Sequence, residues 1–172
     1  VSRMTGHYLQ LLSAMVAAPE SVITEVPLLS SEEQTQILGV WNSTTVSYPK
    51  EYCVHELFEE QSAAAPDTVA VMLGNSSLTY QYLNNQANKL AHFLRANGIG
   101  PETPVGLCIE RSLDMIIGLL GILKAGCAYV PLDPGYPVDR QLFMLADTKT
   151  SMLLTQSHLC DRFAKLDIPL LC

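Results

Sequence analysis

Any nucleophile, metal ligand or acid–base pair in this chain must come from a small set of residues. His55-Glu56 opens like the zinc motif H-E-x-x-H, but Glu59 stands where the second imidazole would have to return one helical turn later. No two histidines adjoin, and His7, His92 and His158 read as isolated surface or packing residues. The five cysteines (Cys53, Cys108, Cys127, Cys160 and Cys172) form no C-x-x-C and read as reduced thiols. Cys127 reads as a small buried residue, since a reactive thiol needs an electropositive, exposed setting. Glu32-Glu33 and Glu59-Glu60 read as solvated helix faces, and Glu110-Arg111 as a local ion pair at a strand end. A phosphate cradle needs backbone N–H groups in a glycine-rich turn and a nearby cation. The turns Gly74-Asn75-Ser76-Ser77 and Gly98-Ile99-Gly100 have glycine without the basic residue. No residue is therefore assigned a catalytic, cofactor-binding or metal-binding role.

The frame around these residues is globular. Hydrophobic residues make up 48% of the 172 and charged residues 16%, enough for one ordinary domain with a core. A net charge of -7, with the ten Lys and Arg residues scattered, argues against a nucleic-acid partner, because phosphate binding needs a basic footprint. The longest apolar run, Met115 to Leu123, is far below the ~20 residues that span a bilayer. The first residues, VSRMTGHYLQ, lack the charged start, apolar core and cleavage site of a signal peptide.

Hydrophobic spacing predicts the elements. Met4, Tyr8, Leu11, Leu12 and Met15 recur at helical spacing over Arg3 to Ala17, and Pro19 stops that helix. Ser30 and Glu33 form a capping-box pattern ahead of a short helix through Ile37, Leu38 and Trp41. The polar stretch Asn42 to Lys50 reads as a linker. A helix carrying Val54, Leu57 and Phe58 ends near Pro66. Two short strands follow, Thr68 to Leu73 and Ser77 to Tyr80, around the turn at Gly74. The stripe Leu83, Ala87, Leu90, Ala91 and Leu94 marks a helix over Tyr80 to Ala96, closed by Gly98. Beyond it come a strand at Pro104 to Ile109 and a nearly all-apolar helix, Leu113 to Lys124, capped by Ser112 and expected to be buried between layers. A strand at Cys127 to Val130, a rigid loop Pro131 to Pro137, a helix Asp139 to Asp147, a strand Met152 to Thr155 and a helix near Ser157 to Ala164 complete the series. Apolar strands alternating with helices imply an α/β fold, a layered, mostly parallel sheet with flanking helices.

Two segments give this frame a family likeness. Leu78-Thr79-Tyr80-Gln81-Tyr82-Leu83 resembles the first core motif of nonribosomal peptide synthetase adenylation domains, L-T-Y-x-E-L, with Tyr82 at the Glu position. Leu123-Lys124-Ala125-Gly126-Cys127-Ala128-Tyr129-Val130-Pro131-Leu132-Asp133-Pro134, running on to Tyr136-Pro137 and Arg140, resembles the second, L-K-A-G-x-A-Y-V-P-(I/L)-D-P. Its physical content is architectural. Lys124 suits the negative end of a helix, Gly126 a left-handed cap, and the three prolines a fixed turn. His55 to Glu59 and Pro66 to Val71 resemble the opening of adenylation domains. Pro27-Leu28-Leu29-Ser30 through Trp41-Asn42-Ser43-Thr44 is similar to the join between a condensation domain and an adenylation domain, and the first 19 residues resemble the last condensation helix.

The resemblance implies three parts: residues 1–24 as the end of a condensation domain, 25–52 as linker, and 53–172 as the N-terminal part of an AMP-binding adenylation domain. The implied fold is the N-terminal part of an adenylate-forming enzyme, preceded by a helical segment. The parent activates an amino acid with ATP and Mg²⁺ to an aminoacyl adenylate and loads it on the phosphopantetheine of a carrier domain. Its partners are the rest of the adenylation domain and the condensation and carrier domains of a cytoplasmic, secondary-metabolite synthetase, with no membrane partner. The family's phosphate loop, substrate pocket and catalytic lysine fall beyond these motifs, so the 172-residue chain by itself is expected to bind no cofactor and to be inert. The competing expectations are a non-catalytic half-domain that associates through open edges, and a fragment of an acyl-CoA ligase.

Overall fold

A computed structural model describes residues 2–172, which divide into two compact units, one ending at Pro49 and one running from Lys50 to Cys172. The first unit is helical. Helix α1 spans Ser2–Ala17, a 3₁₀ turn Ile23–Glu25, and α2 Ser31–Gln34. The capping box forms: the Ser30 hydroxyl accepts the Glu33 N–H at 3.2 Å, and the Glu33 carboxylate accepts the Ser30 N–H at 3.1 Å. The same carboxylate meets His7 Nε2 at 3.0 Å and so ties α1 to α2. Glu33 is therefore a fixed cap and His7 its partner, where the sequence suggested a solvated face and an isolated imidazole. The Ser30 N–H, with His7 adding to it, holds the Glu33 carboxyl below its ordinary pKa. The helix expected through Trp41 exists, but from Thr35 to Val40 it widens to π-helical turns. The Asn42 amide donates to the Ile37 carbonyl, a side-chain competitor of the kind that loosens helix ends.

The second unit begins with α3 (Val54–Ala64), then the antiparallel hairpin β1 (Val69–Leu73) and β2 (Ser76–Thr79). Gly74 turns this hairpin at φ +58°, where a side chain would be strained. Helix α4 (Tyr80–Ala96) starts on Thr79, whose hydroxyl accepts the Tyr82 N–H at 3.2 Å. Strand β3 (Pro104–Cys108), α5 (Leu113–Lys124), β4 (Ala128–Pro131), α6 (Val138–Asp147), β5 (Met152–Thr155), a 3₁₀ helix (Ser157–Phe163) and β6 (Leu170–Leu171) follow. The sheet order is β4-β3-β5-β6, with every pairing parallel. Strand β6 has no counterpart in the sequence reading, since two residues cannot show a period.

Buried side chains line both faces of this sheet. Ala91, Leu94, Val105, Leu107, Ile122, Met152 and Leu154 join α4 and α5 to one face. Cys108, Leu132, Leu145, Leu153, Leu159 and Phe163 join α6 and the 3₁₀ helix to the other. Helices α4 and α5 meet closely at Gly121, where an added Cβ would lie 2.5 Å from Leu90 Cδ2. One expectation fails in an informative way. Helix α5 is apolar all round, yet only part of its surface is covered: Gly118, Leu120 and Ile122 are buried, while Met115, Ile116, Leu119 and Leu123 are half-exposed.

The cysteines also depart from expectation. Cys160 and Cys172 form a disulfide, because β6 pairs Leu171 with Leu154 and so brings the following Cys172 back beside the 3₁₀ helix. Cys53 is exposed, and Cys108 and Cys127 are buried free thiols.

Candidate functional site

In open parallel sheets ligands collect beyond the carboxyl ends of the strands. Here that edge is formed by the ends of β3, β4 and β5. A cleft with a volume of about 590 Å³ opens there between β3, β4 and α5, floored by Leu107, Met115, Leu119 and Tyr129 and rimmed by Glu110 and Asp133. Its wall is the loop after β4. Three side chains from later elements hold that loop. Gln141 Nε2 of α6 donates to the Asp133 carbonyl at 2.6 Å. Arg162 of the 3₁₀ helix donates to the Pro134 carbonyl and, at 3.0 Å, to that of Tyr136. Arg140 lies 4.5 Å over the Tyr136 ring. Inside the turn, Asp133 Oδ1 accepts the Gly135 N–H at 2.8 Å.

Strand-end contacts fix the opposite rim. The Glu110 N–H donates to Gln156 Oε1 at 2.9 Å, and Thr155 Oγ1 donates to the Cys108 carbonyl at 2.9 Å. The Glu110 carboxylate sits 3.4 Å from His158 Nε2, and not against Arg111 as its sequence neighbour suggested. His158 is accordingly paired rather than isolated.

Neither buried free thiol lines the cleft. Cys108 is fully buried, and burial pushes its thiol pKa up, with Arg162 opposing and Asp133 reinforcing that shift. Cys127 is likewise pushed up by burial, against an opposing Arg95, and its thiol donates to the Gly100 carbonyl at 3.1 Å. Both are buried, as expected for Cys127.

The second motif is built from its helix end outward. Lys124 has a side chain only 3% exposed and pairs with Glu59 of α3. Glu59 is thus a specific partner and not simply part of a solvated face. Arg95 from the last turn of α4 donates to the carbonyls of Lys124 and Ala125, satisfying acceptors that a helix end leaves free. Gly126 takes φ +84°, as a left-handed cap requires. Tyr129 and Pro131 then project toward the cleft.

No group of three or more His, Cys, Asp or Glu among the described residues could hold a metal ion. The turn at Gly74 closes a hairpin, and the one at Gly98 closes α4, and neither lines the cleft. No helix among the described residues is long and apolar enough to cross a membrane. Of the site residues, Gln141 carried a signal in the sequence: it lies four residues before Leu145 on the buried stripe of α6, an unexpected place for an amide. Arg162 and Arg95 carried none, because their partners are backbone carbonyls of other elements.

A model of the AMP-binding enzyme family matches residues 58–169. The chain belongs to the AMP-binding enzyme family. Within it, the similarity runs to nonribosomal peptide synthetases. One of the linear gramicidin synthase polypeptides of Brevibacillus parabrevis is 45% identical over 172 residues, covering 100% of this chain and 3% of that protein. Gramicidin S synthase 2 of Brevibacillus brevis is 48% identical over 159 residues, covering 92% of this chain and 4% of that one. Among solved structures, the N-terminal subdomain of Klebsiella oxytoca NpsA in complex with anthranilyl-AMSN superposes with a TM-score of 0.63 at 26% identity, covering 69% of this chain and 30% of that chain. An artificially fused adenylation-PCP di-domain from the same organism, NpsA-ThdA, superposes with a TM-score of 0.64 at 26% identity, covering 69% and 22%. The chain therefore spans only a few hundredths of the synthases it resembles and under a third of the solved subdomain. Its α/β fold, with a parallel sheet and flanking helices, is that of the N-terminal subdomain of an adenylation domain.

Proposed function

We propose that the chain is the opening part of the adenylation domain of a peptide synthetase module, in which an amino acid is activated with ATP and Mg²⁺ and loaded on a carrier-domain phosphopantetheine. The observation that carries this reading is the 45% identity to a linear gramicidin synthase polypeptide across all 172 residues, upstream helix included. Residues 1–24 then belong to the end of a condensation domain, 25–52 to the linker, and 53–172 to the adenylation domain. The partners are the other domains of the module, and the compartment is the cytoplasm. In this reading the second motif is a scaffold. It positions a strand and a turn at the sheet's ligand-facing edge and takes no part in the chemistry, so no catalytic or cofactor-binding residue is assigned to it.

Amino-acid-dependent ATP–pyrophosphate exchange tests the reading. A longer protein containing these residues and the segments that follow them in the relatives should catalyse exchange with one or a few amino acids. The 172-residue chain alone should not. Exchange by the chain alone would overturn the scaffold assignment, and no exchange by the longer protein with any common amino acid would overturn the activity.

A further inference from the structure

In the cytoplasm glutathione and thioredoxin keep thiols reduced, and a disulfide found there is usually transient and redox-sensing. The Cys160–Cys172 bond calls for an account on those terms. Its surroundings suit a bond that is made and broken. Cys172 is exposed and Cys160 half-buried, so a reductant reaches the bond from the Cys172 side. Once the bond opens, Cys160 has a partner waiting. Its sulfur lies 3.6 Å from the Gln156 carbonyl, to which a thiol, unlike a disulfide, can donate.

The two ends of the bond are held unequally. On the Cys160 side, buried Leu159 and Phe163 anchor the 3₁₀ helix in the core. Arg162, on the loop after β4, and Gln156, on the Glu110 N–H, fasten it further. On the Cys172 side, β6 lies at the edge of the sheet. Leu170 and Leu171 pair with Leu153 and Leu154, and the Leu153 N–H donates to the Pro169 carbonyl at 3.0 Å. Pro169 and Leu170 are exposed, and Leu171 is only half-buried. Packing therefore seats the helix with or without the bond, whereas β6 has few buried contacts and opens locally at low cost. A cross-link over 12 residues restricts that open state. Leu171 and Cys172 also wall a cavity of about 820 Å³ lined by Lys89, Phe93, Asp114 and Gln156, so the position of β6 sets how open it is.

We propose that Cys160 and Cys172 form a reversible latch, which fastens β6 to the sheet when oxidised and frees it when reduced by a cytoplasmic dithiol. That the bond opens in the cell rests on the module reading above and its compartment. A thiolate of the reductant attacks the exposed Cys172 sulfur, the S–S bond breaks, and Cys160 leaves as a thiolate that takes up a proton. The second thiol of the reductant gives up its proton and attacks the mixed disulfide, and Cys172 leaves and is protonated in turn. Two electrons pass to the protein pair, and the reductant ends as its own disulfide. Glutathione disulfide re-forms the bond by the reverse exchange, leaving as two molecules of glutathione.

The test uses the purified 172-residue chain without denaturant. Oxidised protein is treated with reduced thioredoxin and then with glutathione disulfide, and free thiols are counted by alkylation and mass spectrometry. Thioredoxin should open the bond and glutathione disulfide restore it, a change of two alkylatable thiols each way. In the reduced protein, hydrogen exchange of the Leu153 amide should speed up at least tenfold. The Leu132 amide, bonded to the Leu107 carbonyl at the opposite edge of the sheet, should change less than twofold. Cys160→Ser should show the fast Leu153 exchange with or without reductant. A bond that thioredoxin opens only in denaturant, or thiols that end as glutathione adducts, would overturn the reversibility. A Leu153 amide as slow in reduced wild type and in C160S as in the oxidised protein would overturn the latch. None of these readouts needs adenylation, so a longer protein without pyrophosphate exchange would remove the activity and leave the latch standing.

Discussion

The Lys124 ammonium, on the last residue of α5, is buried and meets the half-exposed Glu59 carboxylate of α3, so the two partners of one ion pair stand in different environments. The lysine side chain is 3% exposed and the glutamate 47%. Removing either partner therefore has unequal consequences. Lys124→Met keeps the aliphatic stem and releases Glu59 to water, and should cost about 1 kcal/mol or less. Glu59→Ala leaves an ammonium buried without its counter-charge and should cost about 2–3 kcal/mol, with the half-exposed acid keeping the figure below that of a fully buried pair. Urea midpoints of the two variants and of their combination measure this asymmetry. Equal costs would contradict it.

The near-contact of α4 and α5 at Gly121 sets a second expectation. A Cβ there would lie 2.5, 2.7 and 2.8 Å from three atoms of Leu90. Gly121→Ala should destabilise the second unit by about 1–3 kcal/mol, despite the better helix propensity of alanine. Leu90→Ala removes the two nearest of those atoms and leaves only its own Cβ, at 2.8 Å. The double variant should therefore be more stable than the sum of the single effects predicts, by roughly 1 kcal/mol or more in denaturant titration.

Thiol accessibility should divide the cysteines into three classes. Cys53 is exposed and should alkylate first with iodoacetamide at mildly alkaline pH. Cys108 and Cys127, whose pKa values are raised by burial, stay protonated and should react only when the fold is opened. Cys160 and Cys172 should react only after reduction, and peptide mapping without reductant should recover them as one cross-linked species. Rapid labelling of all five native cysteines would contradict this order.

Glu33 gives the first unit a pH dependence of known sign. Its carboxyl titrates below the ordinary value because the charged form accepts the Ser30 N–H and faces His7. A group with a lowered folded pKa contributes stability above the unfolded value, and that contribution disappears as pH falls through the folded one. The helical signal of residues 2–49 should hold near neutrality and fall as pH drops below the usual glutamate range. Glu33→Gln should flatten that part of the circular-dichroism profile.

Periodicity made most of the second unit legible. The stripe from Leu83 to Leu94 located α4, and Ser112 marked the start of α5, where its hydroxyl accepts the Met115 N–H at 3.3 Å. The family was legible for another reason: Leu123 to Pro134 packs a helix end, a left-handed cap, a strand and a proline turn into one short run, a pattern with few alternatives. Long-range partners were not legible. Glu59 and Lys124 are 65 residues apart, Glu110 and Gln156 46, and nothing local distinguishes a glutamate that will meet a buried lysine from one that will meet water. The same holds for Cys160 and Cys172, whose union depends on a two-residue strand.

The parallel order β4-β3-β5-β6 also bears on how the unit is made. The central strand β3 is the first of the four in the chain. Strand β4 joins it on one side, β5 on the other, and β6 extends the sheet beyond β5. No strand has to slip between two already paired. During synthesis, as the polypeptide leaves the ribosome from its N-terminus, each new strand meets an edge that is already waiting for it. The strand order is one in which the sheet can grow outward as it is translated.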